Sequence, residues 1–260
     1  MCRKPRKNAF GLMHDSITWS APPQLLLVQS GEVHIWRVEL DQPADRVEKF
    51  RSTLAVDEIE RAHRFHFEIH RKHFLVGRGF LRYVIARYLE SDAAALQFSY
   101  GPFGKPALSG AHEDSGLRFN MSHSHNVGLV AITDTRDLGV DVEHIRADFA
   151  SEEIARRFFS PREVETFNTL AEQEQVAAFF RCWSRKESYI KAIGRGLSQP
   201  LDAFDVTLAP GERAALLRAE GDDASRWAMS DIDAGAEYVA ALAVEGPLEV
   251  VRHWATDLHE

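Results

Sequence analysis

Two short stretches hold residue types that could do chemistry together. In Leu138-Gly-Val-Asp-Val-Glu143, Val140 and Val142 alternate with Gly139, Asp141 and Glu143. A strand's period of two therefore sends the valines to a core and both carboxylates to the opposite face. Acids are depleted in strands and adjacent like charges repel, so strand propensity gives no reason for the pair. A bound divalent cation would remove the cost. Oxygen-only donors suit a hard ion, and Mg2+ takes one or two protein carboxylates while leaving its other positions to water and substrate phosphates. In Trp183-Ser-Arg-Lys-Glu-Ser-Tyr-Ile-Lys191, Glu187 and Lys191 lie four apart and share one helical face. They would add a third carboxylate and a cation. Taken singly, Asp-x-Glu also fits a solvated strand edge, and Glu-x-x-x-Lys an exposed helix surface.

The elements that must position these residues are legible in part. Strands are expected at Leu25–Val28 and Val33–Leu40, and a helix at Ala55–His63. Phe74, Leu81, Val84, Ile85, Tyr88 and Leu89 mark the apolar stripe of a long helix over Arg71–Leu89, with Arg78, Arg82 and Arg87 among its polar positions. His63, His66, His70 and His73 are spaced three, four and three apart. They would line one face of a continuous helix, but Phe65-His66-Phe67 reads as a break, and transition-metal sites usually draw ligands from several elements. Structural or solvent-facing histidines are the simpler reading, and His73 lies nearest the arginine-rich helix start.

Gly101-Pro-Phe-Gly-Lys-Pro-Ala107 carries turn signals and presents Lys105 on a tight loop. A strand over Leu117–Met121 runs into Ser122-His123-Ser124-His125. The strand Val127–Thr133 is expected to form an antiparallel hairpin, through residues 134–137, with the strand bearing Asp141 and Glu143. Ser160-Pro-Arg-Glu163 combines an N-cap serine, a first-turn proline and a glutamate three residues on. A helix over Ala171–Ile193 ends at Gly194 and Gly196. Further strands are expected at Phe204–Leu208, Tyr238–Val244 and Val250–Trp254, with residues 209–223 as a loop. Strand, helix and short strands recur in both halves, pointing to an α+β fold of two similar lobes, 1–137 and 138–260.

The 260-residue chain is 45% hydrophobic and 27% charged, an ordinary globular composition long enough for a sizeable core. It contains no apolar run near the length of about 18 residues that a membrane span requires, and its basic N-terminus is not followed by a signal-peptide apolar block. A cytoplasmic location is expected, with no membrane partner. Cys2 and Cys182 are too few and too far apart for a disulfide framework or metal motif. A net charge of −8 argues against binding nucleic acid by phosphate attraction, so a phosphorylated substrate would need local positive charge.

Phe119-Asn-Met-Ser-His123, Gly139-Val-Asp-Val-Glu143, Arg157-Phe158-Phe159 and Trp183–Lys191, in that order and spacing, resemble the surfactin-synthetase-activating type of 4'-phosphopantetheinyl transferases. Gly104-Lys-Pro106 upstream and Gly194-Arg-Gly-Leu197 downstream extend the likeness, which covers roughly Asp57–Phe204. The resemblance implies two α/β lobes related by a pseudo-twofold axis, with the site between them. It also implies transfer of the phosphopantetheine arm of coenzyme A to a serine of an apo acyl or peptidyl carrier protein. On this reading Asp141, Glu143 and Glu187 hold Mg2+; Ser122 and His123 contact coenzyme A, His123 near its 3'-phosphate; Arg61, Lys105 and Pro106 belong to the cofactor pocket; and Lys191 reaches the pyrophosphate. Asp141, Glu187 and Lys191 are then the catalytic set. Where some relatives carry a basic residue, position 58 is Glu58. Carriers of this kind are acidic around the modified serine, and two lobes in one chain make a monomer sufficient.

Two rival classes are weaker. A hydrolase built on Ser122 or Ser124 with His123 or His125 fails because neighbours on a strand point to opposite faces, and no G-x-S-x-G elbow is present. A non-catalytic carrier binder would have no need of intact Asp141, Glu143, Glu187 and Lys191.

Overall fold

The computed structural model describes residues 6–7, 13–14, 18–146, 148–150 and 152–255. Residues 1 to about 20 show no periodicity in the sequence and read as a loose arm, most of which lies outside the described residues. A two-residue pair, β1 (Arg6–Lys7) with β2 (Met13–His14), precedes the main body.

The first half runs β3 (Glu32–Glu39), α1 (Ala44–Arg51), α2 (Val56–His63), α3 (Glu68–Leu89), β4 (Gln97–Tyr100), β5 (Pro106–Ser109), β6 (Arg118–Ser124), β7 (Val127–Thr133). The second repeats the plan with β8 (Leu138–His144), α4 (Glu152–Phe158), α5 (Pro161–Thr169), α6 (Glu172–Ile193), β9 (Phe204–Val206), β10 (Leu216–Ala219), β11 (Trp227–Ile232) and β12 (Tyr238–Glu245). The long helices α3 and α6 are both 22 residues, and each is followed by a small antiparallel pair, β4–β5 or β9–β10. The lobe sheets have matching orders, β3-β7-β6 and β8-β12-β11, and β13 (Val250–Ala255) returns to the first lobe to pair parallel with β3. The fold is α+β with two similar lobes, as the recurrence of elements suggested.

Alternating apolar residues explain why the sheets stack. Val140 and Val142 of β8, with Leu242 and Val244 of β12, pack against Ile35 of β3 and Leu129 of β7 in a core between the two sheets. The outer faces bury separate cores under α3 and α6. The capping box that starts α5 is present, with Ser160 and Glu163 bonding each other's backbone N–H. Among the described residues, no helix is long and apolar enough to cross a membrane.

Several expectations change. Residues 25–28 are irregular, with Leu25 and Leu27 exposed and only Leu26 buried; an apolar run without a sheet partner is not a strand. The expected β7–β8 hairpin does not form. β7 pairs with β3 and β6, while β8 pairs with β12, because the tight turn lies instead between β6 and β7, where His125 takes a positive φ of 51°. Residues 134–137 thus join one lobe to the other. The loop expected over 209–223 contains β10, and β11 was not foreseen. His63 ends α2 while His70 and His73 lie in α3, so the four histidines share no continuous face. Arg82, read as a polar helix position, is buried against Glu58.

Candidate active site

The site forms where β6 of the first lobe meets β8 of the second. Asn120, Ser122 and Ser124 alternate along β6, so the strand period sends all three toward β8. Asn120 Oδ1 accepts from the Val140 N–H at 2.9 Å, Ser122 Oγ donates to Asp141 Oδ1 at 3.1 Å, and Ser124 Oγ donates to Glu143 Oε2 at 3.0 Å while accepting from the His144 N–H at 3.0 Å. Side chains here satisfy the β8 edge, where a continuous sheet would use backbone. Ser122 and Ser124 therefore aim the two carboxylates.

From the other side comes α6. Gly139 is the contact point: a Cβ there would lie 2.1 Å from the Ser188 carbonyl oxygen and 2.4 Å from the Ala192 nitrogen. Only glycine lets helix and strand backbones approach so closely. Lys191 then reaches Asp141 Oδ1 at 2.6 Å and Ser122 Oγ at 2.8 Å. Two fully buried cations hold α6 in this register. Arg185 grips both oxygens of Asp231 at 2.9 and 2.6 Å. Lys186 meets Glu163 at 2.7 Å and donates to the carbonyls of Leu201 and Phe204 at 2.7 and 2.6 Å. Burial raises the Glu163 pKa against the opposing pull of Lys186. Removing one member of such a pair leaves a bare buried charge, worth about 3–5 kcal/mol.

The carboxylates load one another. Glu143 is pushed up to about 7, first by burial and then by Asp141, and Glu187 is raised by burial and then by Asp141. Asp141 is 2% exposed, and its Oδ2 is buried with no hydrogen-bond partner among the described residues. An orphaned carboxylate oxygen beside a second acid is a poor arrangement for a bare protein and a good one for a cation. Among the described residues, no three His, Cys, Asp or Glu side chains form a ready metal cage. The donors fit an ion held by one or two carboxylates and completed by water and phosphate, the habit of Mg2+, and do not fit a closed all-protein site.

A cleft of about 1310 Å3 adjoins this cluster, with Arg61, Phe74, Pro106, Met121, His123 and Ser124 among its walls. The Arg61 guanidinium stands over the Phe74 ring at 5.4 Å. His123 opens onto the cleft but is crowded by its walls. That desolvation, then Lys191, His73 and His70, holds its pKa below the ordinary imidazole value. His73 also faces the cleft and meets Asp41 at 2.7 Å. Ser122 faces β8 while its neighbour His123 faces the cleft, so the two do not act as nucleophile and base.

Of the residues singled out in the sequence, Arg61, Pro106 and His123 line the cleft, and Ser122, Asp141 and Lys191 converge behind it. Glu143 joins them through Ser124, and Glu187 through its electrostatic coupling to Asp141. Lys105 differs: Gly104 and Pro106 line the cleft, but the Lys105 ammonium bonds the carbonyls of Leu138 and Ala192. Glu58 is buried and bound by Arg78 and Arg82, which makes it an anchor for two helix arginines. Sequence reasoning gave Asn120 and Ser124 no part in positioning β8 and its carboxylates, although both lie two residues from Ser122 on a strand. Arg64 and Arg146, also on the cleft wall, carried no such signal.

Residues 137–243 match a family model described as the 4'-phosphopantetheinyl transferase superfamily, and residues 42–135 one described as 4'-phosphopantetheinyl transferase, N-terminal. The chain is similar to the 4'-phosphopantetheinyl transferase HetI of Nostoc sp. strain PCC 7120, at 40% identity over 229 residues, covering 88% of this chain and 94% of that protein. It is also similar to the 4'-phosphopantetheinyl transferase Sfp of Bacillus subtilis strain 168, at 34% identity over 176 residues, covering 67% of this chain and 76% of that protein.

Proposed function

The chain belongs to the 4'-phosphopantetheinyl transferase superfamily, and from that premise we propose how its own residues divide the work. The enzyme transfers the 4'-phosphopantetheine arm of coenzyme A to a serine of an apo carrier protein. The carrier hydroxyl forms the new P–O bond, the bond to the bridging oxygen of the pyrophosphate breaks, and adenosine 3',5'-bisphosphate leaves. Such a transfer needs alignment and charge neutralisation more than covalent help from the enzyme.

Asp141 and Glu143 would hold Mg2+, with Glu187 beside them. When bound, such an ion would supply charge neutralisation for the pyrophosphate. Glu187 takes the proton of the carrier serine, directly or through water. Lys191 faces the negative charge that develops on the departing phosphate, while Ser122 holds both Lys191 and Asp141 in place. Arg61, His123 and Pro106 bind the nucleotide end, with His123 toward the 3'-phosphate.

The convergence of Lys191 and Ser122 on a buried Asp141 carries this division of roles. The test is incubation with coenzyme A, Mg2+ and a panel of apo acyl and peptidyl carriers, with products weighed for the added arm. A carrier that gains the arm only with Mg2+ supports the assignment and identifies the pathway class. Transfer at full rate after exhaustive chelation would remove the metal from it.

A further inference from the structure

The turn between β4 and β5 reaches across to the other lobe. Lys105 Nζ donates to the carbonyl oxygen of Ala192 at 2.7 Å and to that of Leu138 at 3.1 Å. Leu138 is the first residue of β8, the strand that bears Asp141 and Glu143, and Ala192 directly follows Lys191 in the last turn of α6. The final carbonyls of a helix have no partner within it, and a cation there also meets the negative end of the helix dipole.

The surroundings fit a strut. Gly194, the left-handed residue that ends α6, lies against the lysine stem: a Cβ there would be 3.3 Å from Lys105 Cδ. Gly196 meets Phe103 of the same turn at the same distance. Burial lowers the Lys105 pKa, with Asp137 opposing. The cleft wall is made by its neighbours Gly104 and Pro106.

We infer that Lys105 is a positioning residue for the transfer reaction: its ammonium ties the last turn of α6 to the start of β8, and so sets Lys191 against Asp141, in place of contacting a phosphate. The inference rests on the role assigned to Lys191 above. An error of about 1 Å in a catalytic group can cost about a hundredfold in rate, and the turn that Lys105 holds is the one that carries Lys191.

Lys105→Met keeps the aliphatic stem and removes the donors. Calorimetric affinity for coenzyme A should stay within about twofold, while kcat falls about tenfold or more. Lys105→Arg, which can still donate to two carbonyls, should restore most of the loss. In a Lys191→Met background, adding Lys105→Met should lower kcat by less than about twofold, since residues acting as a unit are not additive. A general loss of stability would instead lower kcat equally in both backgrounds, and that result overturns the inference. So does a tenfold weakening of coenzyme A binding with kcat preserved, which would make Lys105 a phosphate ligand. Should Lys105→Met not fold, Lys105→Gln, which keeps one donor, is read by the same two measurements. Parental kcat in Lys191→Met alone would instead remove the premise.

Discussion

Lys191 Nζ lies 2.6 Å from Asp141 Oδ1, across the junction of α6 and β8, while Oδ2 of the same carboxylate is buried without a hydrogen-bond partner among the described residues. One oxygen is committed to a lysine and the other is left for a second cation. The pair therefore links the lysine proposed to meet developing charge to the carboxylate proposed to hold the metal.

The metal reading makes the first prediction. Asp141→Asn or Glu143→Gln should preserve the far-ultraviolet spectrum but lower the transfer rate about a hundredfold or more, a loss of about 3 kcal/mol in transition-state stabilisation. Chelation with EDTA should match that loss, and Mg2+ should reverse it. Undiminished turnover in EDTA would sink the assignment.

The second concerns pH. Glu143 has a folded-state pKa of about 7 against an ordinary 4.5, so between those values the folded protein holds more protons than the unfolded chain. Its contribution to stability is present below about 4.5 and is lost as pH rises through about 7. Without metal, the Tm of the parent should fall over that window relative to Glu143→Gln. Because a ligating carboxylate must be ionised, Mg2+ affinity should rise with pH and level off above about 7. Parallel Tm profiles for parent and variant would contradict this.

His123 supplies the third. If it meets the 3'-phosphate of coenzyme A, His123→Ala should weaken binding by about 1–3 kcal/mol and matter much less with dephospho-coenzyme A. Equal losses for both cofactors in a binding titration would take His123 out of that role.

Gly139→Ala is the fourth. The added methyl would lie 2.1 Å from the Ser188 carbonyl, so α6 and β8 must separate. A stability loss of at least about 1–3 kcal/mol is expected in denaturant melts, together with a fall in kcat steeper than the loss of folded protein explains. Parental kcat per folded molecule would show that this contact does not set Lys191.

The fifth concerns the carrier. A chain of net charge −8 cannot attract an acidic partner as a whole, and longer-range terms are screened beyond about 8 Å at physiological salt, so local basic groups must serve. Arg195 is exposed just beyond α6. Arg156 and Arg157, at the end of α4, also flank the site in sequence, but Arg156 is paired to Glu152 at 2.5 Å, Phe159 is buried and Phe158 packs on Trp183. Arg195→Glu should raise the carrier KM several-fold, more at low salt, with coenzyme A affinity unchanged. If both constants moved together, Arg195 would belong to the cofactor pocket.

Period and punctuation made much of this legible from the chain alone. The alternation around Asp141 put Val140 and Val142 in the core between the sheets and both acids on the α6 side, because a strand's faces follow from its backbone whatever it packs against. The same is true of the spacing of Glu187 and Lys191, the Ser160–Glu163 capping box and the glycine stop at Gly194, all of which act within a few residues. Tertiary structure alone decided the rest. Which strand β8 pairs with, that Ser124 aims Glu143, that Lys186 neutralises Glu163 and that Lys105 closes on Ala192 are contacts between residues 19 to 106 positions apart. Neither partner of such a pair carries a local mark of the other, since a lysine that caps a distant helix and one that binds a phosphate are the same lysine in the chain, and only the carbonyls brought within reach of its ammonium distinguish them.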